Sequence, residues 1–397
     1  MSEPLLSDGH EESKLRGNTG NSLRCRALDA FRGLTLCLMV FVNYGGGGVA
    51  VFKHSVWDGL TMADLVFPWF AWIMGFSTFL SSSGRRYSLI RATQRAVKLF
   101  ALGLFVNNGD SWSEWRIPGV LQSLSVAYLA VTVASWYFPW HNHGAANQHR
   151  MWGFVSWHLM FGVIPLTATN LLLTFALRVP GCPTGYIGPG DTVVFGLHHV
   201  FKTPTCQQRY QTGPYDPEGF LNWLMVAATA YIGYLQAALF TEGREQHNFA
   251  LDEVHKHRIR HLLVSGSGLV LLSIACGGLL LFPGGPWIPL NKNLWSLSYV
   301  LLSSGLGSLL FALFVKLVDG RTVGAWRGAP FNSVGKNSIA IYVMHETCQH
   351  FAPFAAKPVT VGEDVPHFEL LFFNLVGMFT WIVVAQWMDL QRIFIKV

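Results

Sequence analysis

Charge is what this chain has least of. Only 13% of its 397 residues are Asp, Glu, Lys or Arg, while 51% are hydrophobic; an ordinary soluble domain carries about 25% charged residues. So little charge cannot solvate the surface of a globule of this size, which excludes a soluble enzyme and leaves an all-α, polytopic transmembrane helix bundle. The six cysteines include no CxxC and no metal-ligand spacing, so neither a structural zinc nor a dithiol redox site is expected and no metal is implied. There is no Asn-x-Ser/Thr sequon, so loops on the non-cytosolic side are expected to be free of N-glycans. The glycine-rich turns at 188–190 and 283–286 neither follow a strand nor open a helix, which removes P-loop and dinucleotide folds. Residues 1–22 lack the apolar core of a signal peptide. They are expected to form a disordered cytosolic tail, with the first span acting as its own signal.

What is present is a succession of apolar runs near the ~20 residues that cross a hydrocarbon core. They fall at 28–44, 61–80, 96–106, 118–137, 152–177, 220–240, 262–282, 294–317, 333–349 and 369–387, about ten spans, the third being the shortest. Tryptophans and phenylalanines, 15 and 29 of them, are enough to furnish interfacial belts and lipid-facing surfaces. The net charge of +6 is no nucleic-acid footprint, because the lysines and arginines gather in alternate loops, with Arg24, Arg26, Arg32, Arg85, Arg86 and Arg91 on one side. By the positive-inside rule that side, and both termini, are cytosolic. The bilayer is the expected partner and nucleic acid is not.

The most informative stretch is 42–60, VNYGGGGVAVFKHSVWDGL. An apolar helix ends in Asn43 and four glycines, and the chain then presents His54 beside Lys53. Backbone that leaves helical geometry near the bilayer must be buried in protein or line a watery cavity, which puts a titratable imidazole beside such a cavity. The next run carries Asp64 into an apolar span, where a carboxylate costs roughly 2.5 to 3.5 kcal/mol on insertion scales and is a functional candidate by default.

The runs RALDAFRGLTLCLMVFVNYGGG, FKHSVWDGLTMADLVFPWFAWIMG, RIPGVLQ, CPTGYIGPG, YDPEGFL, NKNLWSLSYV and NSIAIYVMHE, in this order from about Leu23 to the C-terminus, resemble the heparan-alpha-glucosaminide N-acetyltransferase family of lysosomal membranes. The resemblance implies a transmembrane acyltransferase domain over 23–397. Its activity would move an acetyl group from cytosolic acetyl-CoA, as co-substrate, to the terminal glucosamine amine of heparan sulfate in the lysosomal lumen, a step in glycosaminoglycan degradation. Self-association as a homodimer is carried as an expectation. In the family an Asn and a His of the glycine-rich block are tied to acetyl transfer, and here they match Asn43 and His54. The histidine of the YVxHE block, implicated around the cofactor, matches His345. The sequence departs from the family in two places. The animal enzyme begins with a luminal domain and one extra span, and its pattern reads RIPGVLQR, where this chain has Ser123. If that arginine meets the CoA phosphates, Ser123→Arg should tighten acetyl-CoA binding.

Each residue has a chemical reading and a structural one. His54 can act as general base or as nucleophile, and Lys53 would favour its neutral form; a histidine satisfied by loop backbone is the alternative. Asn43 can donate to an oxyanion or cap its helix. Arg32 can meet the CoA phosphates or pair with Asp29 one turn away. The basic cluster Arg85, Arg86, Arg91, Arg95 and Lys98 reads as headgroup binding or nucleotide contact. Asp64 can orient His54, bind the substrate amine or pair with a residue such as Arg116, and Glu346 joins it as a substrate or orienting group. Asn337 and Ser338 supply cofactor contacts at the cytosolic entrance or cap a helix. Cys182 and Cys206 share one long loop on the oxidising side, leaving a disulfide or two free thiols open. Two other classes compete with the transferase: a solute transporter, since broken helices and intramembrane acids also build ion sites, and a catalytically weak or silent paralogue.

Overall fold

The structure, a computed structural model, describes residues 25–55, 58–82, 88–108, 117–139, 148–176, 218–242, 251–277, 288–320, 326–349, 351 and 367–395. Among these every regular element is helical, and the one extended pairing is an isolated antiparallel bridge between Asp58 and Asn291. The helices are α1 (Arg26–Asn43), α2 (Met62–Ser82), α3 (Leu89–Asn108), α4 (Val120–Tyr137), α5 (Gln148–His158), α6 (Ile164–Ala176), α7 (Phe220–Glu242), α8 (Leu251–Ala275), α9 (Leu297–Val318), α10 (Phe331–Lys336), α11 (Ser338–Cys348) and α12 (His367–Leu390). A π-turn at Leu159–Val163 joins α5 to α6 into one membrane-length rod.

Each apolar run corresponds to helix, but only seven helical stretches among the described residues are long and apolar enough to cross a membrane, which makes this a multi-pass membrane protein. The other three runs fall short for physical reasons. The first, α1, carries Arg26, Asp29 and Arg32, and the third, α3, carries Arg91, Arg95 and Lys98. The ninth breaks at Asn337 into α10 and α11.

Burial separates an inner from an outer layer. In α7, 83% of the apolar window is buried, against 17% in α8, so α7 is core and α8 faces lipid. The α7 core packs on α2 and α4, and α9 lies between α8 and α1. Phe31, Trp72, Phe76 and Phe311 fill the centre, their rings stacked, tilted or edge-on at 5.0 to 6.1 Å. α1 reaches α10 because both helices present glycine at the crossing. A Cβ at Gly33 would strike the Phe331 carbonyl, and one at Gly335 the Asp29 carbonyl, the small-residue contact that lets membrane helices approach closely.

Candidate active site

α1 ends at Asn43, and the chain turns through Gly45, Gly46, Gly47 and Gly48, all at positive φ, where a Cβ is strained. Asn374 of α12 staples this turn: its Oδ1 accepts from the Gly47 amide at 2.8 Å and its Nδ2 donates to the Tyr44 carbonyl at 2.7 Å. The turn delivers the chain to His54, whose side chain is about half exposed at 48%.

Asp64, fully buried in the first turn of α2, is the partner of that ring. Its Oδ1 lies 2.9 Å from His54 Nδ1, while its Oδ2 accepts from the Ser55 and Thr61 amides and from the Thr61 hydroxyl, at 3.2, 3.1 and 2.9 Å. Tyr299 of α9 donates its hydroxyl to the Asp64 carbonyl at 2.5 Å. Of the readings open for Asp64, this geometry is that of the group orienting His54; Arg116 lies outside the described residues.

The cation against the ring is Lys292 rather than the neighbouring Lys53. Lys292 Nζ stands 2.9 Å from His54 Nδ1, 3.3 Å from Nε2 and 3.7 Å from Asp64 Oδ1. The in-plane lone-pair directions of the two ring nitrogens diverge, so an atom that close to both sits against the ring rather than along either direction. In the tautomer with its proton on Nδ1 the ring donates to Asp64, and Nε2 is the nitrogen left to accept. Lys292 is held there by the NKNLW turn. Asn291 Nδ2 donates to Asp58 Oδ1 at 3.0 Å, the Gly59 amide to the Leu290 carbonyl at 2.8 Å, and Asn222 Nδ2 to the Asn293 carbonyl at 2.7 Å. Burial pushes the Lys292 ammonium below its ordinary pKa, against the opposing pull of Asp64 and Glu218.

Asn43 does not spend its side chain on capping its helix. Its Nδ2 donates to Glu346 Oε1 at 3.1 Å. Glu346 in turn lies 3.7 Å from His345 Nδ1, and the fully buried His345 ring packs 5.4 Å from the Tyr44 ring, with no well-formed hydrogen bond to either nitrogen among the described residues. Glu218 acts electrostatically on both Lys292 and Glu346, so the His54 and Asn43 groups share one electrostatic neighbourhood.

At the opposite end of α1 a cavity of about 480 Å³ opens between α1, α2, α3, α4 and the α10–α11 break. Its cations are Arg32, Arg95 and Lys336, and Phe70, Met74 and Leu124 contribute apolar wall. Arg32 bonds Asp29 at 3.2 Å and Ser77 at 2.6 Å, so the local pair and the cavity-lining position coexist. Arg95 lies 4.8 Å over the Tyr128 ring, and Lys336 pairs with Asp389 at 2.7 Å. Ser338 lines the cavity. Asn337 does not: its amide ties down the C-terminal segment, donating to the Ile393 carbonyl at 3.0 Å and accepting from the Ile395 amide at 3.3 Å. Ser123 is wholly buried, donates to the Gly119 carbonyl at 2.8 Å and is absent from the cavity lining. Cys182 and Cys206 lie outside the described residues. Lys292, Ser77 and Lys336 are the site residues that sequence reasoning passed over; for Lys292 the signal was its place inside the NKNLWSLSYV block.

Two curated proteins resemble this chain. One from Mus musculus, named heparan-alpha-glucosaminide N-acetyltransferase, is 34% identical over 434 aligned positions that cover 100% of this chain and 63% of the relative. One from Homo sapiens with the same name is 35% identical over 416 positions, 94% of this chain and 60% of the relative. The chain spans about three-fifths of the length of these relatives. No family model matches it.

Proposed function

We propose, from its 34% and 35% identity to the two mammalian heparan-alpha-glucosaminide N-acetyltransferases, that this chain is an acetyl-CoA-dependent N-acetyltransferase. It takes the acetyl group from cytosolic acetyl-CoA and places it on the terminal glucosamine amine of heparan sulfate in the lysosomal lumen. It does so from a bundle of about ten spans with both termini in the cytosol.

One observation carries this reading: a single helix, α1, contributes Arg32 to a basic, apolar-walled cavity at one end and Asn43, followed by His54, to a carboxylate-held imidazole at the other. Arg32 and Asn43 are eleven positions apart, roughly 16 Å of helix at 1.5 Å per residue, a span that an extended pantetheine arm covers. The donor set of the cavity fits the cofactor. Arg32, Arg95 and Lys336 meet the phosphates, Ser338 adds a hydroxyl, and Phe70, Met74 and Leu124 accept the arm.

At the far end Asp64 fixes the tautomer in which Nε2 of His54 receives a proton from the sugar amine or accepts the acetyl group itself. The Asn43 amide has a second N–H beyond the one given to Glu346, available to the oxyanion formed when the thioester carbonyl is attacked. Glu346 orients the incoming amine, and His345 stands where the acyl end arrives.

The test is acetyl transfer from acetyl-CoA to glucosamine by the chain in membranes, with His54→Ala in parallel. Transfer in the wild type and its loss in the variant are expected. Solute flux without transfer would instead identify a transporter, and a folded protein with neither activity a silent paralogue.

A further inference from the structure

We propose that Lys292 is a second acetyl acceptor of this site: when acetyl-CoA is bound and no sugar amine is present, its Nζ takes the acetyl group and the enzyme stalls. The inference rests on the reading of His54 as the transfer residue, and it adds a modification site to the protein.

The geometry is that of a captive amine. Lys292 Nζ is 3.3 Å from Nε2, the ring nitrogen at which the amine proton or the acetyl group is handled, and its side chain is only 15% exposed. An acetyl carbon carried on Nε2 would lie one bond from that nitrogen, open to attack from the side of the ring on which Nζ sits. The lysine cannot drift off with a mobile loop, because Asn291 is tied to Asp58 and Asn293 to Asn222. Burial also raises the share of neutral, nucleophilic amine, while Asp64 and Glu218 hold the remainder as ammonium.

The step balances without any further reagent. The ammonium first gives one proton to water. The neutral nitrogen then attacks the acetyl carbonyl, an amide C–N bond forms, and the thioester C–S bond breaks. The nitrogen's second proton is relayed by water to Nε2 and from there to the departing CoA sulfur. If the acetyl group first resides on Nε2, the thioester C–S bond breaks in forming it and CoA leaves as the thiolate; Nζ then attacks, the imidazole C–N bond breaks, and the amine proton is taken by Nε2 and returned to the thiolate through water. Acetyl-lysine carries no charge, so Asp64 loses a cation and an amide stands against the His54 ring. The same proximity makes the sugar amine a protector, since it competes for the acetyl group at the same nitrogen.

The experiment uses the full chain in proteoliposomes with acetyl-CoA as the only added reagent, followed by peptide mass mapping, and a parallel reaction containing glucosamine. Expected are one acetyl group on Lys292 with activity falling in step, and labelling about tenfold lower at about ten times the half-saturating glucosamine, as simple competition requires. His54→Ala should label about a hundredfold more slowly, the lower range for loss of a general base, and Lys292→Arg should not label at that position. An unmodified Lys292 in a preparation that acetylates glucosamine would overturn the inference alone. Equal labelling in wild type and His54→Ala would reduce it to adventitious chemical acetylation and overturn it as well. Absence of acetyl transfer to both amines would remove the proposed function and the inference with it.

Discussion

The two ends of α1 handle charge in opposite ways. At the His54 end, Asp64 is fully buried and both carboxylate oxygens are engaged, by a ring nitrogen, two backbone amides and a hydroxyl. At the Arg32 end, Arg32 and Lys336 line a cavity and each meets a carboxylate at its edge, Asp29 or Asp389. Under the proposed function the contrast separates chemistry from binding. A group that must present one lone pair in one direction is held by saturated hydrogen bonds, whereas cations meant for a ligand that brings its own charge are better left with partners that can be exchanged.

The sharpest way to break this comparison is Asp64→Asn, which keeps the shape and removes the acceptor that fixes the tautomer. Acetyl transfer should fall about a thousandfold or more in kcat, with KM for acetyl-CoA little changed; a loss confined to KM would erase the distinction between the two ends. Arg32→Ala and Lys336→Ala should do the reverse. Each removes a charge-assisted contact worth about 1.5 to 3 kcal/mol, so KM for acetyl-CoA rises about tenfold or more while kcat holds, as initial-rate kinetics would read. Gly335→Ala attacks the α1–α10 crossing on which the cavity end depends. It should lower thermal stability in detergent by about 1 to 3 kcal/mol, and an unchanged melting temperature would show that the helices do not meet there. The smallest effect is expected from Lys53→Ala. With Lys292 supplying the cation at the ring, the pH–rate profile should stay where it is, and a shifted profile would return Lys53 to the site.

What the sequence revealed follows how far apart along the chain the interacting groups lie. The apolar runs mark every helix, because burial in lipid or protein is written locally as unbroken hydrophobicity. His54 and Asp64 are 10 residues apart, close enough for the loop-then-acid pattern to pair them. Lys292 meets His54 across 238 residues, and by composition it is one more loop cation. The break at Asn337 is equally hidden, since its amide is spent on a segment 56 residues later. The third run looked too short because its N-terminal half is basic; it extends to Leu89 as α3, with Arg95 over Tyr128 and facing the cavity. The cavity itself is a product of packing among helices distant in sequence, and no local pattern encodes it.

The most direct test of the account is sidedness. Proteoliposomes of uniform orientation, with acetyl-CoA confined to the Arg32 side and glucosamine to the His54 side, should accumulate N-acetylglucosamine on the glucosamine side, and His54→Ala should abolish it. Product formed only when both substrates share one compartment would contradict transfer along α1.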